Sequence, residues 1–173
     1  DEYIDAFKVL WSDVKPRYKG DHVDIEALLF APKPHDGRSI PVWVGGESNP
    51  ALRRTARLGD AWYPGSRNPK HRLDTPERLK AGVEKLAAIA EQEGRDPSTI
   101  EVAYVYFHPV SFKAEVGFDT SRAMMTGSAE EMAGDVRALA EAGVKHLKLT
   151  FPAGSLDDMS DRIQRFAEDV IPM

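Results

Sequence analysis

Ile40-Pro41-Val42-Trp43-Val44-Gly45-Gly46-Glu47-Ser48-Asn49 is a short apolar run, closed by two glycines, with a helical pattern starting just beyond. Continuous apolar character over residues 40–44 suits a strand buried on both faces. Asn49 to Leu58 then reads as a helix, with Ala51, Leu52 and Ala56 turned inward and Gly59 as its stop. A buried strand running straight into a helix is the unit of an α/β fold, and the rest of the chain repeats it.

Downstream, Asp60 to Tyr63 is a second short strand, closed by Pro64-Gly65. Asp74 or Thr75 caps the next helix, and Pro76 suits its first turn. That helix runs to about Glu93 on the stripe Leu79, Val83, Leu86, Ala87 and Ala90, and Gly94 ends it. Ile100 to Phe107 is rich in β-branched and aromatic residues and makes the third strand. Ser128 and Glu131 form a capping-box pattern ahead of Met132, Val136, Leu139 and Ala140. Gly143 stops that helix, Val144 to Phe151 is the fourth strand, and Leu156 to Val170 is the last helix.

Upstream, Ile4, Phe7, Leu10, Trp11 and Val14 fall on one face of a leading helix over residues 1–14. Residues 15–39 are irregular and punctuated by Pro16, Gly20, Pro32, Pro34 and Gly37. Val23, Ile25, Leu28, Leu29 and Phe30 are apolar enough to pack, so this stretch reads as a docked extension.

Four strand–helix units imply parallel strands with crossover helices. Two closures fit: a doubly wound open sheet, or part of a (β/α)8 barrel. Four units behind a helix that lacks its own strand look like the C-terminal half of a (β/α)8 TIM barrel, and a whole barrel typically takes about 250 residues. The expected organisation is one domain over 1–173, with four βα units in 40–173. The chain of 173 residues opens on Asp1, with no initiator Met, as if cut from something longer.

Composition narrows the function. A net charge of −5 argues against a general nucleic-acid binder. The chain has no cysteine, which excludes disulfides, thiolate metal sites and cysteine nucleophiles. No apolar run approaches a membrane span, and no signal peptide precedes Asp1, so a cytoplasmic setting without membrane contact is expected. No Walker loop, zinc motif or nucleophile elbow is present, and no metal site is expected.

In either closure, ligands bind at the carboxyl ends of the strands. Gly45 and Gly46 let a ligand approach the backbone, and the free N–H groups of the following helix attract phosphate. Ser48 either adds a hydroxyl to that site or simply caps the helix. Glu47 opposes an anion there unless its carboxylate points away. Tyr63 and Gly65 at the second strand end, and His108 past the third, are candidate pocket residues. Trp62 reads as core. His146 and Lys148 share one parity in the last strand, which allows charge inside a barrel. Residues 108–127 are long for a βα connection, as lids and disordered segments are. Met124 and Met125 there either close over an apolar ligand or pack.

Pro32-Lys33-Pro34, then residues 40–48, then Ala51-Leu52-Arg53-Arg54-Thr55-Ala56-Arg57-Leu58-Gly59-Asp60-Ala61-Trp62, strongly resemble the bacterial luciferase-like monooxygenases. Asp1-Glu2-Tyr3 through Leu10-Trp11, Gly94-Arg95-Asp96-Pro97 and Ala142-Gly143-Val144 match as well. The resemblance runs through nearly the whole chain, and only to the family's C-terminal half. It implies a (β/α)8 barrel, usually dimeric, with FMN or the deazaflavin coenzyme F-420 at the carboxyl ends of the strands. It further implies that Gly45, Gly46 and Ser48 lie at the cofactor phosphate. The expected function is a flavin-dependent oxidoreductase or monooxygenase acting on a small organic substrate; the alternatives are a phosphate-binding barrel module or a truncated remnant without redox activity. The first four strands, which hold much of the ring site in that family, have no counterpart here. No catalytic residue is therefore assigned. The half-barrel alone is expected to be inactive and to form a homodimer or otherwise self-associate.

Overall fold

The computed structural model describes residues 1–26, 29–37 and 39–173. Helix α1 (Glu2–Ser12) leads into a small antiparallel pair, β1 (Tyr18–Lys19) and β2 (Asp24–Ile25). Then come β3 (Trp43–Gly45), α2 (Asn49–Leu58), β4 (Ala61–Tyr63), α3 (Pro76–Gln92), β5 (Glu101–Pro109), α4 (Ala129–Glu141), β6 (His146–Thr150) and α5 (Leu156–Asp169). The sheet order is β3-β4-β5-β6, and every neighbouring pair is parallel.

Local chemistry starts each crossover helix. The hydroxyls of Ser48, Thr75 and Ser155 accept from the amides of Ala51, Arg78 and Asp158. At α4 the capping box closes in both directions: Glu131 N–H donates to Ser128, and Ser128 N–H donates to Glu131. Each such cap is worth about 1 kcal/mol.

Side chains alternate across a strand, so the sheet has two unlike faces. Trp62, Val102, Tyr104 and Tyr106 join Leu52, Ala56, Leu79, Leu86, Met132 and Leu139 in one core between sheet and helices. Trp62 is 1% exposed, core as its sequence position suggests. The opposite face carries Trp43, Tyr63, Phe107, His146 and Lys148. The Trp43 ring lies 5.6 Å from Tyr63 and 5.0 Å from His146, although β3 and β6 are the two edges of the sheet. Side chains of opposite edges meet only across a concave face, so the sheet is curled as in a partial barrel. His146 also pairs with Glu101 at 2.9 Å, and the Lys148 ammonium lies 5.9 Å from the Phe107 ring.

Several expectations are corrected. The first strand is not buried on both faces: Val44 is buried, while Trp43 is 44% exposed on the concave side, flanked there by the Tyr63 and His146 rings. The leading helix ends at Ser12, so Val14 lies beyond it and is exposed; on α1 only Ala6 is buried, and Phe7 is exposed. In residues 15–39, the Glu2 carboxylate accepts from the amides of Asp21 and His22, and the Lys33 ammonium donates to the carbonyls of Leu10 and Asp13. Leu29 nevertheless points outward, and Leu28 lies outside the described residues.

The connection after β5 is strapped down. Ser111 N–H donates to Met125 O, Gly127 N–H to Ser111 O, and Ala123 N–H to Glu115 O. Arg122 reaches Asp135 of α4 through both terminal nitrogens, at 2.9 and 2.7 Å. Met124 and Met125 are buried in the core. Among the described residues no helix is long and apolar enough to cross a membrane.

Candidate functional site

The carboxyl ends of β3 and β4 lie side by side, with Gly45 opposite Tyr63. Gly46 has φ +102°, a conformation that suits glycine, and a Cβ built there would sit 3.0 Å from the Ala51 Cβ. The indole N–H of Trp62 donates to Gly46 O at 2.8 Å, so a buried core side chain fixes the orientation of this turn. Ser48 is the N-cap of α2, but its hydroxyl sits 3.4 Å from Ala51 N, a long contact. Pro50 supplies no N–H and the Ala51 N–H is directed at Ser48 Oγ, so the first turn of α2 presents the Asn49 amide and the Ser48 O–H.

Glu47 is the group that would repel an anion, and its carboxylate is turned along the rim. It accepts from Gly65 N–H at 2.8 Å and from the Asn68 side-chain amide at 2.6 Å. The two βα turns are thereby tied into one rim. Gly65 faces the concave side, where an added Cβ would stand 2.7 Å from the Phe107 ring. Trp43 and Phe107 flank Tyr63 and Gly65 there, and both rings are partly open to solvent.

Gly45, Gly46, Ser48, Tyr63 and Gly65 thus form one continuous rim and concave wall. His108 does not join them. The register of β5 shifts between Val105 and Pro109, and His108 lies beside Tyr106, with 6.3 Å between ring centroids. It lines a separate cavity of about 330 Å³ beneath the 108–127 strap, and its Nε2 is 2.9 Å from Glu115. The Ser111 hydroxyl and then His108 hold the Glu115 carboxyl below its ordinary range. Sequence reasoning missed the Glu47 ties, the Trp62 anchor and this second cavity. All depend on partners more than ten residues apart.

The description "Luciferase-like monooxygenase" matches residues 1–115 of the chain. The chain belongs to the luciferase-like monooxygenase family. It is similar to the pyrimidine monooxygenase RutA of Allorhizobium ampelinum, 30% identical over 95 residues, which are 55% of this chain and 24% of that protein. An uncharacterized protein of Mycobacterium bovis is 35% identical over 86 residues, covering 50% of this chain and 27% of that one.

Two solved structures share the fold. One is an F420-dependent secondary alcohol dehydrogenase in complex with an F420-acetone adduct, with TM-score 0.71 and 21% identity over 95% of this chain and 57% of that one. The other is the coenzyme F420 dependent tetrahydromethanopterin reductase from Methanopyrus kandleri, with TM-score 0.73 and 15% identity over 96% and 60%. The chain thus spans about a quarter of these curated relatives and less than two thirds of these solved chains.

Proposed function

We propose that the chain is the cofactor-binding C-terminal half-barrel of a flavin-type oxidoreductase, with the phosphate of FMN or coenzyme F-420 held at Gly45, Gly46 and Ser48. The carrying observation is the rim itself. A positive-φ glycine at the end of a parallel strand leads into a helix N-terminus, and the neighbouring carboxylate is drawn away by Gly65 and Asn68. The Asn49 amide and the Ser48 O–H face that turn at the positive end of α2, and the Glu47 carboxylate is already engaged by Gly65 and Asn68. The ring system would lie along the concave wall by Tyr63 and Gly65, where the Phe107 ring packs closely over the glycine.

When bound, the cofactor supplies the redox chemistry, as hydride or electron carrier. The chain's own residues bind and orient it. The Asn49 amide and the Ser48 hydroxyl would hold the phosphate, the Trp62 indole N–H fixes the Gly46 carbonyl, and Trp43 and Phe107 would line one side of the ring system. One domain over 1–173, with 15–39 as its docked extension, is part of this reading. So are a small organic substrate, a cytoplasmic setting and dimerisation.

Fluorescence titration with FMN and with coenzyme F-420, each on the wild type and on Ser48→Ala, tests the assignment. Binding of at least one cofactor, weakened about fivefold by the substitution, is expected for the loss of one hydrogen bond of about 1 kcal/mol. No binding of either, or equal affinity in both proteins, would refute it.

A further inference from the structure

Pairing along β4 does not stop at Tyr63. Val105 N–H donates to Pro64 O and Ser66 N–H donates to Val105 O, both at 3.0 Å, and Phe107 N–H donates to the Ser66 hydroxyl at 2.9 Å. Residues 64–66 thus continue the parallel ladder onto β5, with Gly65 opposite Val105. Backbone groups alternate between the two edges of a strand, so the Gly65 N–H points the other way, toward β3. There β3 has already ended, at Gly45 opposite Tyr63, and the chain has turned into α2. The Glu47 carboxylate fills the gap. Its Oε1 accepts from Gly65 N–H at 2.8 Å, as a carbonyl of β3 would have done had the strand continued.

The other carboxylate oxygen reaches further. Oε2 accepts from the Asn68 side-chain amide at 2.6 Å. The side-chain oxygen of Asn68 accepts from Lys70 N–H at 3.0 Å, and its carbonyl accepts from His71 N–H at 3.3 Å. One half-buried carboxylate therefore fixes both Gly65 on the concave wall and the turn over residues 68–71. Hydrogen bonds to an ionised acceptor are the strong ones. Glu47 is also the one charged residue between Gly45 and Leu52, and its charge opposes an anion at the neighbouring Ser48 and Asn49. Tie and charge thus act in opposite directions.

We propose that Glu47 is a positioning residue of the cofactor rim: its two hydrogen bonds set the wall at Gly65 for the ring system, while its charge weakens the hold on the phosphate. Given the phosphate reading of the β3–α2 turn, on which this rests, the two effects fall on different parts of the cofactor.

Glu47→Gln and Glu47→Ala separate them. Glutamine keeps an oxygen for Gly65 N–H and removes the charge; alanine removes both. Titration of the 173-residue chain with riboflavin reads the ring wall, and the ratio of FMN to riboflavin affinity reads the phosphate. Hydrogen exchange at Gly65 reads the tie with no cofactor present. In Glu47→Ala, Gly65 should exchange about tenfold or more faster, as befits the loss of a hydrogen bond to a charged group, and riboflavin should bind severalfold more weakly. In Glu47→Gln, riboflavin affinity should stay within about twofold of the wild type, while the FMN-to-riboflavin ratio rises about twofold to fivefold. A merely structural role would lower both affinities together and leave their ratio unchanged. Unchanged Gly65 exchange or unchanged riboflavin affinity in Glu47→Ala, a Glu47→Gln protein as weak for riboflavin as Glu47→Ala, a ratio that fails to rise in Glu47→Gln, or no binding of either flavin by the wild type would each overturn the proposal. Equal affinity of the wild type for FMN and riboflavin would instead overturn the phosphate reading, and Gly65 exchange with riboflavin affinity would still decide whether Glu47 positions the wall.

Discussion

Asp135→Asn probes what orders the strap. The Asp135 carboxylate accepts three hydrogen bonds: Arg122 Nη1 at 2.9 Å and Met125 N–H at 2.7 Å on Oδ2, and Arg122 Nη2 at 2.7 Å on Oδ1. Asparagine keeps one oxygen. Placed at Oδ2 it preserves two of these bonds, but its NH2 then faces the donor Arg122 Nη2, and the guanidinium loses its anionic partner. Removing one member of a buried pair costs about 3–5 kcal/mol. The Arg122 side chain is 28% exposed and Glu131 approaches its Nε at 3.6 Å, so part of the charge stays compensated. The expected loss is therefore about 2 kcal/mol, or roughly 4–8 °C in Tm for a domain of this size. Urea unfolding reads the free energy, and hydrogen exchange at Met125 reads the local release. Met125 holds φ +57°, a strained value for this residue, and should lose protection first. A double-mutant cycle with Arg122→Met should show coupling of about 1 kcal/mol or more. A loss below about 0.5 kcal/mol, or an additive cycle, would refute the view that this pair holds the connection down.

Gly46→Val forces a β-branched residue into φ +102° with Ala51 in contact, so urea unfolding should show a loss of about 1–3 kcal/mol, and FMN affinity should fall with it. Burial pushes the Asp74 carboxyl up, but Arg72 and Arg78 outweigh that and hold it below its ordinary value of 3.8. Its contribution is therefore present above the unfolded pKa and is lost as pH falls through the folded one. Urea midpoints should decline below about pH 4, with Asp74→Asn flattening that decline. The chain on its own should self-associate and catalyse no turnover, because among the described residues no strand pairs with the outer edge of β3 or β6, and Trp43, Phe7 and Ile163 are exposed. Sedimentation checks this, and a monodisperse, catalytically active monomer would contradict it.

The elements that sequence reading located well are those whose signals are local. Ser128 with Glu131, Thr75 with Pro76, and the glycine stops mark helix ends through chemistry within four residues. Alternation along β6 placed His146 and Lys148 on one face because parity is a property of the strand itself. The β1–β2 pair escaped notice because two-residue strands leave no periodicity to read. Trp43 was misjudged for a different reason: an apolar run shows that a strand can be buried, but not whether each face finds a cover. The strap looked like a lid or a disordered segment because its anchors, Arg122 and Asp135, are separated by a helix start. Within the site, the Gly45-Gly46-Ser48 turn was legible from residue type, while Glu47 was ambiguous until Gly65 and Asn68 were seen to hold it. His108, a candidate pocket residue from its place near the end of the third strand, lines the cavity under the strap, and residue type alone could not say which cavity that would be.

The central claim is that the β3–α2 turn holds the phosphate of a flavin-type cofactor. Titrating the isotopically labelled chain with FMN and with riboflavin, which lacks only the phosphate, tests it most directly. The account predicts that FMN binds about tenfold or more tightly than riboflavin, and that the largest amide shifts unique to FMN fall at Gly45, Gly46, Ser48 and Ala51. Equal affinity for the two, or phosphate-dependent shifts elsewhere in the chain, would contradict it.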